Sequence, residues 1–251
     1  MSAAAKPEPF SSVILLRDAQ PHGFEVLLTR RPSEGALCNG IHGFPCGPVQ
    51  KSDHEEGIMR RCRGLSGETA RKILGAHLSP SQALAFWIVA IRVVFEQVGI
   101  LFAVGESGKP IAWDAKLDVW LHAKRAALGE RRLTFRSILE SENLFCDAAS
   151  IRYFSHWQAE AQDTGDARIF LAAMPEEQQS SAASLDDTQW LPPERALQLF
   201  NRSELPMAFP TFASLRTLAD FDDASSLLKE FQTPLAISKR AMATSGNGKS
   251  V

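Results

Sequence analysis

The sequence predicts an α+β or sandwich fold, because strand-like and helix-like segments follow one another without a regular strand–helix–strand repeat. Its 251 residues are enough to bury a full core. Hydrophobic residues make up 45% and charged residues 22%, which are the proportions of a globular chain rather than a disordered one. The formal net charge of -2 gives no electrostatic footprint for nucleic acid, so we expect no nucleic-acid partner.

Cysteine usage and the N-terminus predict a cytoplasmic protein. The 4 cysteines form no C-x-x-C pair, and nothing in their spacing indicates a disulfide framework. The first residues, MSAAAKPEPF, lack the basic and apolar regions of a secretory signal. The small, polar and proline-bearing residues 1–9 are typical of a loose arm.

Two β-rich runs near the N-terminus predict a hairpin, SSVILLRD (11–18) and FEVLLTRR (24–31). The glycine- and proline-rich segment 32–50 predicts a loop with a short strand. A possible helix follows at GETARKILGAHL, within a polar and basic stretch that runs to about residue 79.

The apolar segment after this stretch predicts a helix of about 18 residues. Ser79 suits the N-cap, Pro80 suits the first helical position and Gly99 suits the C-terminal end. Its longest uncharged apolar run, 83–91, is shorter than the ~20 residues that a membrane-spanning helix needs. We therefore expect a helix buried within the protein and no membrane partner.

The rest of the chain alternates between helical and extended patterns. Residues 113–128 and 134–141 predict amphipathic helices, while SIRYFSHW and DARIFLAAM predict strands. Segments 192–200 and 210–221 each begin with a proline suited to a helix start. Residues 233–251 are small and basic, which is typical of a disordered tail.

The last part of the central helix, RVVFEQVG (92–99), carries the polar residues of an otherwise apolar segment. Arg92 and Glu96 are neighbours on a helix, and so are Val93 and Gln97, because residues four apart lie on one face. The simplest interpretation is an ion pair on the solvent-exposed face of an otherwise buried helix, which would contribute about 0.5 kcal/mol to stability. The alternative is the remnant of an acidic metal site.

The fragments GFPCGPVQKSD (43–53) and AIRVVFEQVGILFA (90–103) together resemble the signature of the Nudix family. That signature joins a glycine, an acidic residue and an Arg-Glu-x-x-Glu-Glu-x-Gly helix into a loop–helix–loop site. Here Gly47 and Asp53 match the first part, and Arg92 begins the helix about 31 residues later than usual. A long insert at this point is a feature of the Nudix branch that includes coenzyme A diphosphatases.

The resemblance extends over residues 10 to 221, where further segments follow the order of that branch. These segments are SSVILLRD, FEVLLTRRP, RYFSHW, DARIFLAAMPEEQ, TQWLPPERAL and FPTFASLRTL. The resemblance implies one Nudix domain over 10–232, a mixed sheet between helices, with helical insertions near 53–82 and 106–145. LLTRR with Gly40 and Phe44-Pro45 is also similar to a coenzyme A recognition motif, although Ala36 stands where that motif has an arginine.

By resemblance, the expected activity is Mg²⁺- or Mn²⁺-dependent hydrolysis of a nucleoside diphosphate derivative, with coenzyme A or acyl-coenzyme A as the leading substrate. The implied metal ligands are Glu96, Gln97 and Asp53, and Arg92 would orient Glu96. The implied substrate-binding residues are Arg30, Arg31, Gly43, Phe44 and Gly47.

The helix departs from the family pattern at two of its three glutamates, which are Val93 and Gln97 here. Valine offers no ligand and an amide oxygen is a poorer ligand than a carboxylate for a hard cation. We therefore expect hydrolysis to be weakened or lost, and the alternative is a non-catalytic module that binds a nucleotide-like ligand or a protein partner. A slow hydrolase with a substitute carboxylate is a third possibility. The carboxylates considered for that role are Asp53, Glu55, Glu56, Asp166, Asp186 and Asp187.

One further change and two other constellations complete the prediction. Cys46 replaces a glycine where the family backbone turns sharply, which would be strained if that position needed a positive φ. Zinc binding by the cysteines and histidines is not favoured, because their spacing fits no usual zinc pattern. His156 is expected to be a strand residue that pairs with its neighbours rather than a catalytic base.

Overall fold

A computed structural model describes residues 9–19, 23–30, 40–158, 166–178 and 188–231 of the chain. The predicted arm, apart from Pro9, and the predicted tail 233–251 lie outside the described residues. In chain order the strands are β1 (Pro9–Asp18), β2 (Phe24–Arg30), β3 (His42–Gly43), β4 (Cys46–Pro48), β5 (Cys62–Arg63), β6 (Ala103–Val104), β7 (Phe145–Asp147), β8 (Arg152–Gln158), β9 (Asp166–Ala173) and β10 (Thr188–Leu191). The α-helices are α1 (Glu56–Met59), α2 (Gly67–Leu74), α3 (Pro80–Val98), α4 (Ala115–Gly129), α5 (Phe135–Ser141), α6 (Pro193–Asn201), α7 (Phe209–Leu218) and α8 (Ala224–Glu230).

The larger sheet is mixed, with the strand order β10-β2-β1-β9-β8 and with β3 beside β2 and β4 beside β1. Strands β1 and β2 form the predicted antiparallel hairpin, in which Leu16 lies opposite Val26. On its other side β1 runs parallel to β9, and β4 crosses back antiparallel to the first residues of β1. The α+β architecture with a mixed sheet is confirmed.

Helices cover both faces of this sheet. Side chains alternate along a strand, so Val13 and Leu15 of β1 pack towards α3, whereas Ile14 and Leu16 pack towards α6, α7 and α8. Since both faces are covered, β1 reads in the sequence as a continuous apolar run instead of an alternating one. The sheet is therefore the middle layer of three.

The central helix α3 begins and ends at the predicted residues. The Ser79 hydroxyl accepts from the backbone N–H of Gln82, whose side chain accepts from the Ser79 N–H in return. Pro80 opens the helix, and Gly99 ends it with a φ of 83°. Its 19 residues are apolar enough to cross a membrane by length and composition, but 78% of the apolar stretch is buried within the protein. Helix α3 is a core helix.

A second, three-stranded sheet joins the two predicted insertions. Strand β5, from the first insertion, pairs in parallel with β7, which follows the second one, and Cys62 lies opposite Cys146. Strand β6, which follows α3, completes this sheet on the other side of β7. Helix α4 packs against α3 near its C-terminal end. The insertions therefore surround the helix that carries the candidate site.

Candidate functional site

Arg92 lies at the centre of the candidate site, where it is only 3% exposed. Its Nε and Nη2 donate to the two carboxylate oxygens of Asp53 at 3.0 and 2.9 Å. Its Nη1 donates to both oxygens of Glu96, at 3.1 and 2.9 Å. Nη2 also donates to the backbone oxygen of Pro48 at 2.8 Å. The guanidinium therefore joins the helix to the short 3₁₀ helix Lys51–His54, which contains Asp53, and to β4.

The two carboxylates around Arg92 differ in their surroundings. Asp53 is 2% exposed, and its Oδ2 also accepts from the backbone N–H of Gln50 at 2.8 Å. The Glu96 side chain keeps 29% of its surface exposed. Burial raises the pKa of Glu96 above its ordinary value, and attraction to Arg92 only partly offsets this effect. Glu96 is therefore the carboxylate of this cluster that faces solvent.

Burial disfavours the charged form of Arg92, but the surrounding carboxylates overcome this penalty. Hydrogen bonding and attraction to Asp53, followed by those to Glu96, raise the pKa of Arg92 above its ordinary value. A buried guanidinium is tolerated only when it is paired and hydrogen-bonded in this way. The interpretation of Arg92 and Glu96 as an ion pair on a solvent-exposed face is therefore wrong, because Arg92 is buried and has a second, fully buried partner in Asp53.

Gln97 and Val93 attach the helix to β4 through neutral contacts. The Nε2 of Gln97 donates to the backbone oxygen of Cys46 at 2.6 Å, and the Cys46 N–H donates to Oε1 of Gln97 at 3.2 Å. Val93 is 1% exposed and contacts Gly47, where an added Cβ would lie 2.6 Å from Cγ1 of Val93. Gly47 is needed for this close approach, since any side chain there would collide with the helix.

The predicted metal ligands do not form a ligand set for Mg²⁺ or Mn²⁺. The Asp53 oxygens face Arg92 in the interior, and both polar atoms of the Gln97 amide contact Cys46. Over residues 9–19, 23–30, 40–158, 166–178 and 188–231, no group of three or more His, Cys, Asp or Glu side chains could hold a metal ion. Glu96 alone keeps a carboxylate turned outwards. The described residues therefore do not fit the Mg²⁺ or Mn²⁺ ion that the resemblance implies.

The carboxylates considered as substitutes have partners elsewhere. Glu55 and Glu56 form exposed ion pairs with Arg136 and Arg60. Asp166 pairs with Arg168, and its Oδ1 accepts from Nε2 of His156 at 2.6 Å, which agrees with the predicted role of His156 as a strand residue. Asp186 and Asp187 lie outside the described residues.

The predicted substrate-binding residues lie in different places. Phe44 is 3% exposed and packs with the core on the side of the sheet away from α3. Gly43 ends β3 and Gly47 contacts α3. Arg30 is exposed at the end of β2, and Arg31 lies outside the described residues.

The structure removes the predicted strain at Cys46. This residue begins β4 and is not among the described non-glycine residues with a positive φ, which are Arg131, Asn143 and Ser203. Cysteine therefore fits the backbone here without a penalty. The glycine that the geometry requires is the next residue, Gly47, and it is required by contact with Val93.

One residue of the site was missed by the sequence analysis. Arg125 of α4 donates from Nε to the backbone oxygen of Glu96 at 2.9 Å and from Nη2 to that of Gln97 at 2.6 Å. These oxygens belong to the last turn of α3, where backbone C=O groups have no N–H donor within the helix. Nothing in the local sequence marks Arg125, because the contact depends on how α4 folds back on α3.

Comparison with known proteins agrees with this architecture. The chain is 25% identical to an acyl-coenzyme A diphosphatase, NUDT19, from Gallus gallus; the match covers 83% of this chain and 65% of the relative. The chain thus spans about two thirds of the length of that curated relative. No family model matches the sequence.

Among solved structures, a Nudix hydrolase from Alicyclobacillus acidocaldarius superposes with a TM-score of 0.65. The superposition covers 92% of this chain and 99% of that protein, at 20% sequence identity. Agreement over nearly the whole of both chains confirms the fold that the separated motif fragments implied. The chain has the Nudix fold.

Proposed function

We propose that this protein is a Nudix hydrolase whose substrate is a nucleoside diphosphate derivative, with coenzyme A or an acyl-coenzyme A as the first candidate. The observation that carries the proposal is the meeting of the two halves of the interrupted motif. Gly47 contacts Val93, and Asp53 pairs with Arg92 although 39 positions separate them. The Gallus gallus relative, an acyl-coenzyme A diphosphatase, supports the choice of substrate class.

We further propose that hydrolysis is much slower than in relatives with all three glutamates. Glu96 is the remaining carboxylate on this face of α3, while Val93 and Gln97 are committed to contacts with β4. Loss of a general base alone lowers a rate by roughly 10²–10⁴-fold. The residues that shape the site are therefore retained, whereas two side chains that would carry its chemistry are replaced.

Chromatographic product analysis tests this proposal. The purified protein is incubated with coenzyme A, an acyl-coenzyme A, ADP-ribose and NADH, each with Mg²⁺ or Mn²⁺. Glu96→Gln removes the remaining carboxylate, and Glu56→Gln is the matched control because Glu56 forms an exposed ion pair away from Arg92. We expect slow cleavage of at least one compound by the wild type and by Glu56→Gln, and none by Glu96→Gln.

Two outcomes would contradict the proposal. Equal cleavage by wild type and Glu96→Gln would identify a contaminating hydrolase. Complete absence of product, with a nucleotide-like ligand still bound, would instead favour the non-catalytic binding module.

A further inference from the structure

Two cysteines outside the candidate site lie side by side in the small sheet. Strands β5 and β7 run parallel there, and Cys62 is directly opposite Cys146. Side chains that are paired in this way project from the same face of a sheet, and neighbouring strands are roughly 4.7–4.9 Å apart. This spacing lies within the range of about 4.4–6.8 Å that separates the Cα atoms of disulfide-bonded cysteines. The backbone therefore already brings the two residues to bonding distance, although they are far apart in the sequence.

The electrostatics of the two thiols also show that they are neighbours. Both are free, and Cys146 is completely buried. Burial raises the pKa of Cys146 well above its ordinary value, and Cys62 is the next largest cause of this rise. Because repulsion between two charges falls with their separation, this effect requires that the sulfur atoms lie close together.

The strand that carries Cys62 can adjust to a covalent bond. The Cβ atoms of a disulfide are about 3.8 Å apart, so the two strands have to approach each other slightly. Strand β5 has only 2 residues and lies at the edge of the small sheet, in the order β5-β7-β6. A short edge strand can shift towards its neighbour without displacing the rest of the sheet.

We propose that Cys62 and Cys146 form a site of reversible oxidative modification, at which a disulfide joins β5 of the first insertion to β7. The oxidant is a hydroperoxide, such as hydrogen peroxide. The sulfur of Cys62 attacks one peroxide oxygen, which gives a sulfenic acid and one water. The sulfur of Cys146 then attacks the sulfur of Cys62, and the hydroxyl group of the sulfenic acid leaves with the Cys146 proton as a second water. The two thiols lose two electrons, and one hydrogen peroxide is reduced to two waters.

Exposure decides which thiol reacts first. Cys62 is partly exposed, whereas Cys146 is not, so the oxidant reaches Cys62 and Cys146 completes the bond from the interior. Burial, with repulsion from Asp147, raises the pKa of Cys62 to about 12. Since the thiolate is the reactive form, oxidation is slow at neutral pH and accelerates as the pH rises.

The bond would lie next to the buried part of the candidate site. Asp53 is among the groups that raise the pKa of Cys146, so its carboxylate lies within electrostatic range of that thiol. Strand β7 also packs against α3, which carries Arg92. The proposal does not depend on the proposed function, because neither a ligand nor hydrolysis enters it.

Peptide mapping by mass spectrometry tests the proposal. The wild type is treated with hydrogen peroxide at pH 7 and at pH 9, and the remaining thiols are alkylated in denaturant before digestion. Cys62→Ala and Cys146→Ala each remove one partner. The matched control is Cys46→Ala, which removes a cysteine in β4 of the other sheet. Melting temperatures before and after oxidation, and after reduction with dithiothreitol, show whether the bond belongs to the folded protein.

We expect a peptide linked through Cys62 and Cys146 in the wild type and in Cys46→Ala. It should form at least about tenfold faster at pH 9 than at pH 7, because the thiolate fraction rises with pH. Cys146→Ala should stop at the sulfenic acid of Cys62, which dimedone traps, and Cys62→Ala should keep Cys146 reduced. The melting temperature of the wild type should rise by about 5 °C or more on oxidation, because the cross-link restricts the unfolded chain, and dithiothreitol should reverse the rise.

Three results would overturn the proposal. One is that both thiols are still alkylated after oxidation at pH 9. Another is a linked peptide in which Cys38 or Cys46 replaces one of the two partners. The third is a Cys62–Cys146 bond that lowers the melting temperature, because the bond then forms only in a distorted fold. If an alanine variant does not fold, the peptide map of the wild type still decides.

Discussion

Arg92 serves two carboxylates, and the buried one is the more important for stability. Asp53 uses both oxygens on Arg92 in a part of the protein that water does not reach, whereas Glu96 is partly exposed. Removing one partner from a buried pair leaves the other charge uncompensated, which is costly. The position that the sequence suggested as a metal ligand is, in this structure, the residue that holds Arg92 in place.

We predict that Asp53→Asn lowers the free energy of unfolding by about 3 kcal/mol, because Arg92 stays buried with one charged partner fewer. Urea denaturation measures this loss. Glu56→Gln, which breaks an exposed ion pair, should change stability by less than about 0.5 kcal/mol. An Asp53→Asn protein as stable as this control would show that the buried pair is not needed.

Glu96 gives a prediction for pH. Its pKa is raised on folding, mainly by burial, so the folded protein binds a proton that the unfolded chain releases at a lower pH. Wild-type stability should therefore fall as pH rises through the window between the ordinary and the raised pKa, and Glu96→Gln should not show this fall. The stability of Glu96→Gln relative to wild type should increase from pH 4 to pH 8 in urea denaturation. A relative stability that decreases over this range would contradict the assignment.

At the scale of elements, α3 and β4 act as one unit because three side chains of the helix contact the strand. Arg92 donates to Pro48, Val93 packs on Gly47 and Gln97 pairs with Cys46. The bounds of α3 could be predicted, because Ser79, Pro80 and Gly99 are residue types that the local backbone geometry favours at helix ends. Its attachment to β4 could not, because a pairing between a side-chain amide and a distant backbone leaves no local pattern.

The contact between α3 and β4 predicts a non-additive pair of substitutions. Gly47→Ala should lower the free energy of unfolding by about 1–3 kcal/mol, because the new methyl group overlaps Val93. In a Val93→Ala background the same change should cost at least about 1 kcal/mol less, since the space beside Gly47 is then free. A double-mutant cycle by urea denaturation measures the coupling. Equal costs in both backgrounds would rule out the close contact.

At the scale of the whole molecule, the resemblance of ordered segments was enough to predict the fold across a 31-residue interruption. The meeting of Asp53 with Arg92 follows from that fold. Phe44 shows the limit of such reasoning, since a motif gives the order of residues but not the face of the sheet on which a side chain lies. Arg125 shows a second limit, because its place beside Glu96 is decided by the packing of an insertion that has no motif of its own.

We propose that the framework of a Nudix site is retained while its ligand set is reduced. Restoring the set should therefore restore chemistry. A Val93→Glu/Gln97→Glu variant exchanges the two neutral contacts with β4 for carboxylates, and the same variant with Glu96→Gln is its control. Melting temperatures with and without Mn²⁺ show whether the variant folds and binds the ion.

The decisive measurement is the rate of Mn²⁺-dependent hydrolysis of coenzyme A by the wild type and by Val93→Glu/Gln97→Glu. We predict that the variant is at least about 10²-fold faster, which is the lower end of what a general base contributes. The added Glu96→Gln should abolish the gain. A folded, Mn²⁺-binding variant that hydrolyses coenzyme A no faster than the wild type would contradict the claim that the two missing carboxylates limit the rate.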